Sequence, residues 1–221
     1  MAHPLSNRIN SLPVSQTLAM AAKARELKAE GKDIISLSLG EPDFNTPDFI
    51  KKAAIQAIDD NYNSYTPVDG YGELKKSICN KFKRDNDLDY ESNQVVVSTG
   101  AKQSIANAIQ VLINPGDDVL LVAPYWVSYS AIVTLAEGNP IEIRSDISSD
   151  FKITPLQLEN AITKRTKLVV INSPNNPSGS VYTEKEYLGL AKVLEKYPEI
   201  YILSDEIYEH INYGVPHFSF A

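Results

Sequence analysis

One stretch decides the fold of this chain: Tyr201-Ile-Leu-Ser-Asp205-Glu-Ile-Tyr208. A short apolar run brings an aspartate, and three positions later a tyrosine, to the carboxyl end of what we expect to be a buried strand. Open α/β sheets build their sites at such strand ends. A carboxylate shielded there is costly unless it meets a positive partner. No Lys or Arg follows within the next ten residues, so Asp205 has two candidate partners, a protonated ring nitrogen of a cofactor or a distant arginine.

The composition is typical of a globular enzyme. The 221 residues are 43% hydrophobic and 22% charged, which gives one large or two small domains a sizeable core. A net charge of −7 argues against nucleic acid or an anionic membrane as a partner. The single cysteine, Cys79, excludes an internal disulfide and a multi-cysteine zinc site, and we predict no metal. With no secretory signal at the start and no run of membrane-spanning length, we predict a cytoplasmic protein.

The first part of the chain predicts mainly helices. Residues 1–14 carry two prolines and suggest an irregular arm. Ser15 is a suitable N-cap for the helix that follows and Gly31 a suitable stop. Beyond it the pattern predicts a short strand at 34–39, a turn at 41–43, and helices at about 49–60 and 73–85.

From residue 94 short apolar strands alternate with helices. The strands are predicted at 95–97, 119–122, 141–143, 168–171 and 200–203, and the helices at about 101–112, 126–137, 154–163 and 183–197. Thr154 and Thr183 each begin a capping box, with Gln157 and Glu186 three residues later. This alternation predicts an α/β fold, a mostly parallel sheet with helices on both faces.

A run of small residues lies between the first of these strands and its helix, Ser98-Thr-Gly100-Ala-Lys102-Gln-Ser104. Backbone N–H groups at such a turn, together with a helix N-terminus, can bind an anion such as a phosphate. The run matches neither a Rossmann nor a Walker motif, so a nucleotide is not indicated. A plain tight turn is the alternative.

Two further loops carry candidate ligand-binding residues. Trp126, the only tryptophan, follows a strand and can stack on a flat ligand, or else it is a core aromatic that opens a helix. The loop Asn172-Ser-Pro-Asn-Asn176-Pro-Ser-Gly179 holds Asn176 between fixed prolines, with one donor and one acceptor group to present. A structural turn needs only one Pro or Gly, so this loop favours a function.

These loops are predicted to gather at one edge of the sheet, because each follows one of its parallel strands. Together, Gly100, Trp126, Asn176 and Asp205 offer an anion cradle, a stacking ring, an amide and a buried carboxylate. That set suits a flat, phosphorylated cofactor with a basic ring nitrogen. Pyridoxal phosphate fits better than a nucleotide.

Six motifs, in order along the chain, resemble those of the class I aminotransferases of pyridoxal phosphate fold type I, especially the aspartate and aromatic aminotransferase branch. The resemblance covers nearly the whole chain. The motifs are Ser38-Leu-Gly40-Glu-Pro-Asp-Phe, Tyr65-x4-Gly70-x-Gly72-Glu-Leu, Ser98-Thr-Gly-Ala-Lys-Gln, Pro124-Tyr-Trp-Val-Ser-Tyr, Ser173-Pro-Asn-Asn-Pro-Ser-Gly and Ser204-Asp-Glu-Ile-Tyr.

The resemblance implies how the cofactor ring is held. Asp205 would pair with the pyridinium nitrogen and keep the ring an electron sink. Tyr208 and Asn176 would hold its phenolic oxygen and so lower the pKa of the Schiff base. Trp126 would stack on the ring. Asp205 and Tyr208 would thus be the catalytic residues of this chain.

The resemblance also implies phosphate and substrate contacts. The amides of Gly100, Ala101 and Lys102 would bind the phosphate. Gly40 would let the substrate carboxylate approach the backbone, where Asn176 and Trp126 also contact the substrate. Tyr65 would reach the phosphate of a neighbouring subunit, which implies a homodimer.

The family's Schiff-base lysine has no counterpart in this sequence. It lies past the Asp-x-x-Tyr motif, and the chain stops at Ala221. Lys102 is at the phosphate end of the cofactor, and Lys152, in a similar Ser-x-x-Lys pattern, is far from the carboxylate. The resemblance therefore implies an N-terminal part, with residues 1–45 an arm and part of a small domain and 46–221 an incomplete pyridoxal phosphate domain.

The implied activity is amino-group transfer between an amino acid and a 2-oxo acid, with an aspartate or glutamate preference. A lyase or synthase of the same fold type is the first alternative. A non-catalytic fragment is the second, and we expect this polypeptide alone to be inactive.

Overall fold

The computed structural model describes residues 5–14, 16–37, 40 and 44–221. The chain separates into two compact units. The larger comprises Asp69–Ala221 with the amino-terminal segment up to Leu12, and the smaller comprises Pro13–Val68. The division predicted at residue 45 concerns functional domains and stays a prediction.

Eight α-helices and four β-strands are formed by the described residues. The helices are α1 (Asn7–Asn10), α2 (Gln16–Ala29), α3 (Asp48–Asp59), α4 (Gly72–Asn86), α5 (Ala101–Leu112), α6 (Ser128–Leu135), α7 (Pro155–Ala161) and α8 (Glu184–Leu194). The strands are β1 (Asp118–Ala123), β2 (Asn139–Arg144), β3 (Thr166–Asn172) and β4 (Tyr201–Asp205). Among these residues no helix combines the length and the apolarity that crossing a membrane requires.

The larger unit contains a four-stranded sheet in the order β2-β1-β3-β4, and every pair of neighbours is parallel. This confirms the predicted α/β architecture. Parallel strands all end at the same edge of the sheet, so the segments after β1, β3 and β4 begin side by side. Asn172 and Asp205 are register partners at that edge.

Two apolar cores cover the two faces of the sheet. Successive residues of a strand point to opposite faces, and in β1 Val119 lies in a core with residues of α5 and α6, whereas Leu120 lies in a core with residues of α7 and α8. Both side chains are completely buried. The helices on both faces therefore fix the sheet, and with it the position of each strand end.

The two predicted capping boxes are confirmed. Thr154 begins α7 and its N–H donates to Gln157 Oε1 at 2.8 Å, while Thr183 begins α8 and its N–H donates to Glu186 Oε2 at 2.7 Å. Each threonine hydroxyl in turn accepts the N–H of its partner residue. The local sequence therefore sets where both helices start.

The strand predicted at 95–97 is wrong. The described sheet has four strands and does not include this segment. Instead the N–H of Val97 donates to the carbonyl of Asp69 at 3.1 Å, and the segment packs on Gly70. A Cβ at Gly70 would lie 2.7 Å from Val97, and its φ of +100° also favours glycine.

The smaller unit contains α2 and α3. Gly31, with a φ of +83°, follows the end of α2 as predicted. The strand predicted at 34–39 is wrong for 34–37, which have no regular structure; positions 38 and 39, the Ser15 cap and the turn at 41–43 lie outside the described residues. The predicted arm contains a short helix, α1, which belongs to the larger unit.

Candidate active site

Asp205 is the last residue of β4 and is only 9% exposed. Its Oδ2 accepts a 2.6 Å hydrogen bond from the hydroxyl of Tyr129, and its Oδ1 accepts the N–H of Ile207 at 3.2 Å. It forms no salt bridge with any Lys, Arg or His among the described residues. The distant arginine, the alternative partner, is therefore not found among the residues that the structure describes.

Tyr129 is a functional candidate that the sequence analysis did not single out. It lies in the first turn of α6 and is 2% exposed. Burial, and then the negative charge and hydrogen bond of Asp205, raise the pKa of Tyr129 well above its usual value. The phenol therefore stays protonated and donates to the carboxylate. The spacing Trp126-x-x-Tyr129 was the available signal, since residues three apart share a helix face.

Trp126 lies beside this pair, just before α6. Its ring meets the ring of Tyr129 edge-on, with 5.5 Å between centroids. The Nζ of Lys102 lies 4.8 Å from the Trp126 ring centroid, within cation–π range. Trp126 therefore connects the start of α5 to the residues around Asp205.

The start of α5 offers free backbone donors. Gly100 precedes the helix with a φ of +88°, and its own N–H donates to the carbonyl of Ser98 at 2.8 Å. The amides of Ala101 and Lys102 have no hydrogen-bond acceptor among the described residues. First-turn amides of this kind, at the positive end of a helix, favour anions.

A cleft of about 330 Å³ lies between α5 and the end of β4. Ala101 and Ser104 of α5 line one side, and Ser204, Asp205 and Ile207 line the other. The Gly100 loop was expected near this edge of the sheet because a strand was predicted before it. That strand is not formed, and it is instead the packing of α5 against the sheet that brings the start of the helix close to the edge.

Asn176 and Tyr208 complete the cluster. The Nδ2 of Asn176 lies 3.4 Å from the hydroxyl of Tyr208. The N–H of Asn176 donates to Asn172 Oδ1 at 2.7 Å, and Asn172 Nδ2 donates to the carbonyl of Asp205 at 2.8 Å. A continuous polar path thus runs from Asp205 to Tyr208. Sequence reasoning missed Asn172, a polar residue that ends an apolar strand.

Gly40 and Tyr65 lie in the smaller unit, apart from this cluster in sequence. Both are exposed, and the side chain of Tyr65 completely so. Lys152 is held elsewhere, with its Nζ 2.9 Å from Glu186 Oε1 and 3.3 Å from Asp150 Oδ2. The structure therefore brings together Asp205, Trp126, Asn176, Tyr208 and the start of α5.

The arrangement can bind a flat group with positive charge at one end and negative charge at the other. A buried carboxylate without a protein cation suits a protonated ring nitrogen, and the α5 amides suit an anion. Trp126 supplies an aromatic face, and the hydroxyl of Tyr208 and the amide of Asn176 supply hydrogen bonds. The chemistry of this set of residues fits one planar, phosphorylated ligand.

The chain belongs to the family of class I and II aminotransferases, whose profile matches residues 32–220. It is 53% identical over 207 residues to an aspartate/prephenate aminotransferase of Nitrosomonas europaea, a match that covers 94% of this chain and 52% of that protein. It is 50% identical to an aspartate aminotransferase of Bacillus sp. strain YM-2, in a match that covers 100% of this chain and 56% of that protein. The chain thus spans about half the length of the curated relatives it matches.

Solved structures agree with this assignment. The aspartate aminotransferase of Rhizobium meliloti superimposes with a TM-score of 0.95 at 46% identity, over 99% of this chain and 55% of that one. The Thermus thermophilus aspartate aminotransferase with maleate has a TM-score of 0.95 at 40% identity, over 99% of this chain and 57% of that one. An alanine aminotransferase of Pyrococcus furiosus has a TM-score of 0.93 at 31% identity, over 98% of this chain and 56% of that one.

Proposed function

We propose that this chain is the N-terminal part of a pyridoxal phosphate-dependent aminotransferase, which moves an amino group between an amino acid and a 2-oxo acid. The observation that carries the proposal is Asp205, a buried carboxylate without a cation among the described residues, on a cleft that Ala101, the first residue of α5, also lines. Membership of the aminotransferase family supports it. We propose that the Schiff-base lysine lies in the part of the relatives' length that this chain does not span, and we therefore expect the 221 residues alone to be inactive.

Each residue of the cluster then has a task. Asp205 keeps the ring nitrogen protonated, helped by the hydrogen bond from Tyr129. Tyr208 and Asn176 hold the phenolic oxygen, and Trp126 covers one face of the ring. The cofactor, when bound, supplies an electron sink for the bonds at the substrate Cα.

The phosphate is assigned to the start of α5. The amides of Ala101 and Lys102 are its direct donors, because both are free of protein acceptors. The backbone of Gly100 turns the chain into the helix and leaves open space beside its Cα. A phosphate there also gains from the positive end of the helix dipole.

We propose aspartate or glutamate as the amino donor. Two observations support an acidic substrate: the Bacillus sp. and Rhizobium meliloti proteins named above are aspartate aminotransferases, and the Thermus thermophilus structure is described with maleate, a dicarboxylate. Gly40, Asn176 and Trp126 are the proposed substrate contacts in this chain.

Prephenate is a second candidate substrate, as the acceptor of the amino group. The name of the Nitrosomonas europaea relative, and of a Cereibacter sphaeroides relative at 51% identity, includes it. Amino transfer from aspartate to prephenate in an assay of purified protein would support this; transfer only to simple 2-oxo acids would contradict it.

A homodimer in the cytoplasm completes the proposal. The exposed side chain of Tyr65 is available to a neighbouring subunit, where it would reach the phosphate of the partner's cofactor. Sedimentation of the full-length protein should give twice the subunit mass. Replacing Tyr65 by Phe should weaken cofactor binding without changing the subunit count.

The first experiment is the intact mass of the purified protein after incubation with pyridoxal phosphate and reduction with borohydride. We expect a mass well above 24.4 kDa that carries one reduced cofactor on a lysine beyond Ala221. A mass of 24.4 kDa without an adduct would mean that the polypeptide is a catalytically empty fragment.

Product analysis then tests the reaction class. An aminotransferase forms more than one equivalent of 2-oxo acid per cofactor from aspartate only when a second 2-oxo acid accepts the amino group, so product is counted beyond the first turnover. Product formed without an acceptor would instead support a lyase of the same fold type.

A further inference from the structure

Asn172 uses its whole side-chain amide to connect two backbone segments. It ends β3 and is 6% exposed. Its Oδ1 accepts the N–H of Asn176 at 2.7 Å, and its Nδ2 donates to the carbonyls of Asp205 at 2.8 Å and Pro174 at 3.1 Å. Both donor hydrogens and the acceptor are thereby used.

These partners are the backbone of two candidate site residues. Asp205 ends the neighbouring strand, and its carbonyl also accepts the N–H of Ser173 at 3.2 Å. Asn176 lies in the loop after β3, where its side chain contacts the hydroxyl of Tyr208. One buried amide therefore sets the spacing between the residue assigned to the ring nitrogen and those assigned to the ring oxygen.

We infer that Asn172 is a positioning residue of the proposed aminotransferase. It acts through Asp205 and Asn176, and it holds the two ends of the ring site at a fixed separation. This role rests on the proposed function, because it presupposes that Asp205, Asn176 and Tyr208 hold one cofactor ring. Neither an aspartate nor an aliphatic side chain can replace it, since only an amide offers two donors and an acceptor at this size.

The test uses the full-length protein loaded with pyridoxal phosphate. Asn172→Ala removes all three hydrogen bonds, and Asn172→Ser keeps a hydroxyl that can form one of them, as a milder variant. Ser173→Ala is the matched control: this side chain is adjacent and also buried, and its Oγ accepts the N–H of Tyr182 at 3.0 Å rather than a group of Asp205 or Asn176.

We expect Asn172→Ala to lower kcat for aspartate about 10²-fold, the effect of a misplacement of about 1 Å, with little change in KM. The pH midpoint of the visible absorbance of the bound cofactor should rise by about one unit, because Asn176 and Tyr208 no longer hold the ring oxygen in place. Asn172→Ser should change both quantities in the same direction by less. Ser173→Ala should lose stability but keep the wild-type kcat and midpoint.

An independent readout uses the cofactor-free protein. Hydrogen exchange at the Asn176 amide should be slow in the wild type and fast in both Asn172 variants. Variants that lose only unfolding free energy and keep the wild-type kcat, midpoint and exchange would overturn the positioning role alone. A wild-type protein that neither binds pyridoxal phosphate nor transaminates would overturn the proposed function as well.

Discussion

Two buried aspartates lie at opposite ends of the same sheet, and their surroundings differ. Asp118 begins β1 and is 1% exposed, and its carboxylate accepts hydrogen bonds from Thr163 Oγ1 at 2.9 Å and Asn139 Nδ2 at 3.1 Å, with Arg165 Nε at 3.4 Å. Asp205 ends β4, and its carboxylate accepts hydrogen bonds from one hydroxyl and one backbone N–H. No cation lies beside it among the described residues.

The difference separates a structural carboxylate from the one that we propose binds a ligand. Burial alone would raise the pKa of Asp118, but the hydrogen bonds of its three partners outweigh it and lower the pKa below its usual value. That charge is balanced within the protein. Asp205 has no cation near it among the described residues, and buried ionisable groups with unusual surroundings concentrate at functional sites, which supports its proposed role.

Replacing Asp205 by Ala tests the ligand-binding role and should have the largest effect. We expect kcat/KM for aspartate to fall about 10³-fold, because an electrostatic partner of the reacting group is removed. Steady-state kinetics of the full-length protein measures this. Asp118→Ala is the control and should keep wild-type turnover per folded molecule. Near-normal turnover of Asp205→Ala would contradict the site and the assignment.

Replacing Asp118 by Ala tests the structural role. We expect the free energy of unfolding at pH 7 to fall by about 1–3 kcal/mol, since buried hydrogen-bond partners lose their acceptor. The folded-state pKa is lowered, so this stabilisation is present above the ordinary value of 3.8 and is lost as pH falls through the folded pKa. Urea unfolding at pH 7 and pH 3 measures both.

The control for Asp118 is Asp89→Ala, which removes only an exposed ion pair with Lys83. It should change stability by less than about 0.5 kcal/mol. An Asp118 variant as stable as this control would show that the buried network contributes nothing.

Replacing Tyr129 by Phe tests the link between the core and Asp205, and should have the smallest effect. Loss of a hydrogen bond to a charged group should lower kcat about 10-fold. Tyr125→Phe removes a similar bond, to Glu142 at 2.9 Å, and should keep the wild-type kcat. Equal kcat values for the two variants would show that the bond to Asp205 does not matter.

The same variant has an alkaline signature. The folded-state pKa of Tyr129 is raised above its ordinary value of 10.0, so its stabilisation is complete below pH 10 and is lost as pH rises through the folded pKa. Above pH 10, the free energy of unfolding should therefore fall less steeply with rising pH in Tyr129→Phe than in the wild type.

The sequence predicted the elements whose signals are local. The capping boxes at Thr154 and Thr183 and the glycine after α2 were confirmed because each depends on a few neighbouring residues. The order of strands and helices was also sufficient for the parallel sheet. The candidate site was predicted by the same logic, from residues at or just after the ends of parallel strands, and the roles of Trp126, Asn176 and Asp205 stay a prediction.

The errors concern partners distant in the sequence. Val95-Val96-Val97 has the composition of a strand, but a strand also needs a neighbouring strand to pair with. Here the N–H of Val97 donates to the carbonyl of Asp69 instead, and Val96 is 67% exposed. Tyr129 and Asn172 were missed for the same reason. The helical spacing of Tyr129 from Trp126 and the place of Asn172 at the end of an apolar strand were the only local signals, and neither predicts a contact with Asp205, which is distant in the sequence.

The edge-on contact between Trp126 and Tyr129 gives the molecule an internal optical probe. Trp126 is the only tryptophan in the 221 residues. Its ring contacts Lys102 and Tyr129, and Tyr129 in turn donates a hydrogen bond to Asp205. Its fluorescence arises from one known place, with no label attached. A ring that stacks on this indole should quench the emission, so a simple titration can follow ligand binding at Trp126 in real time.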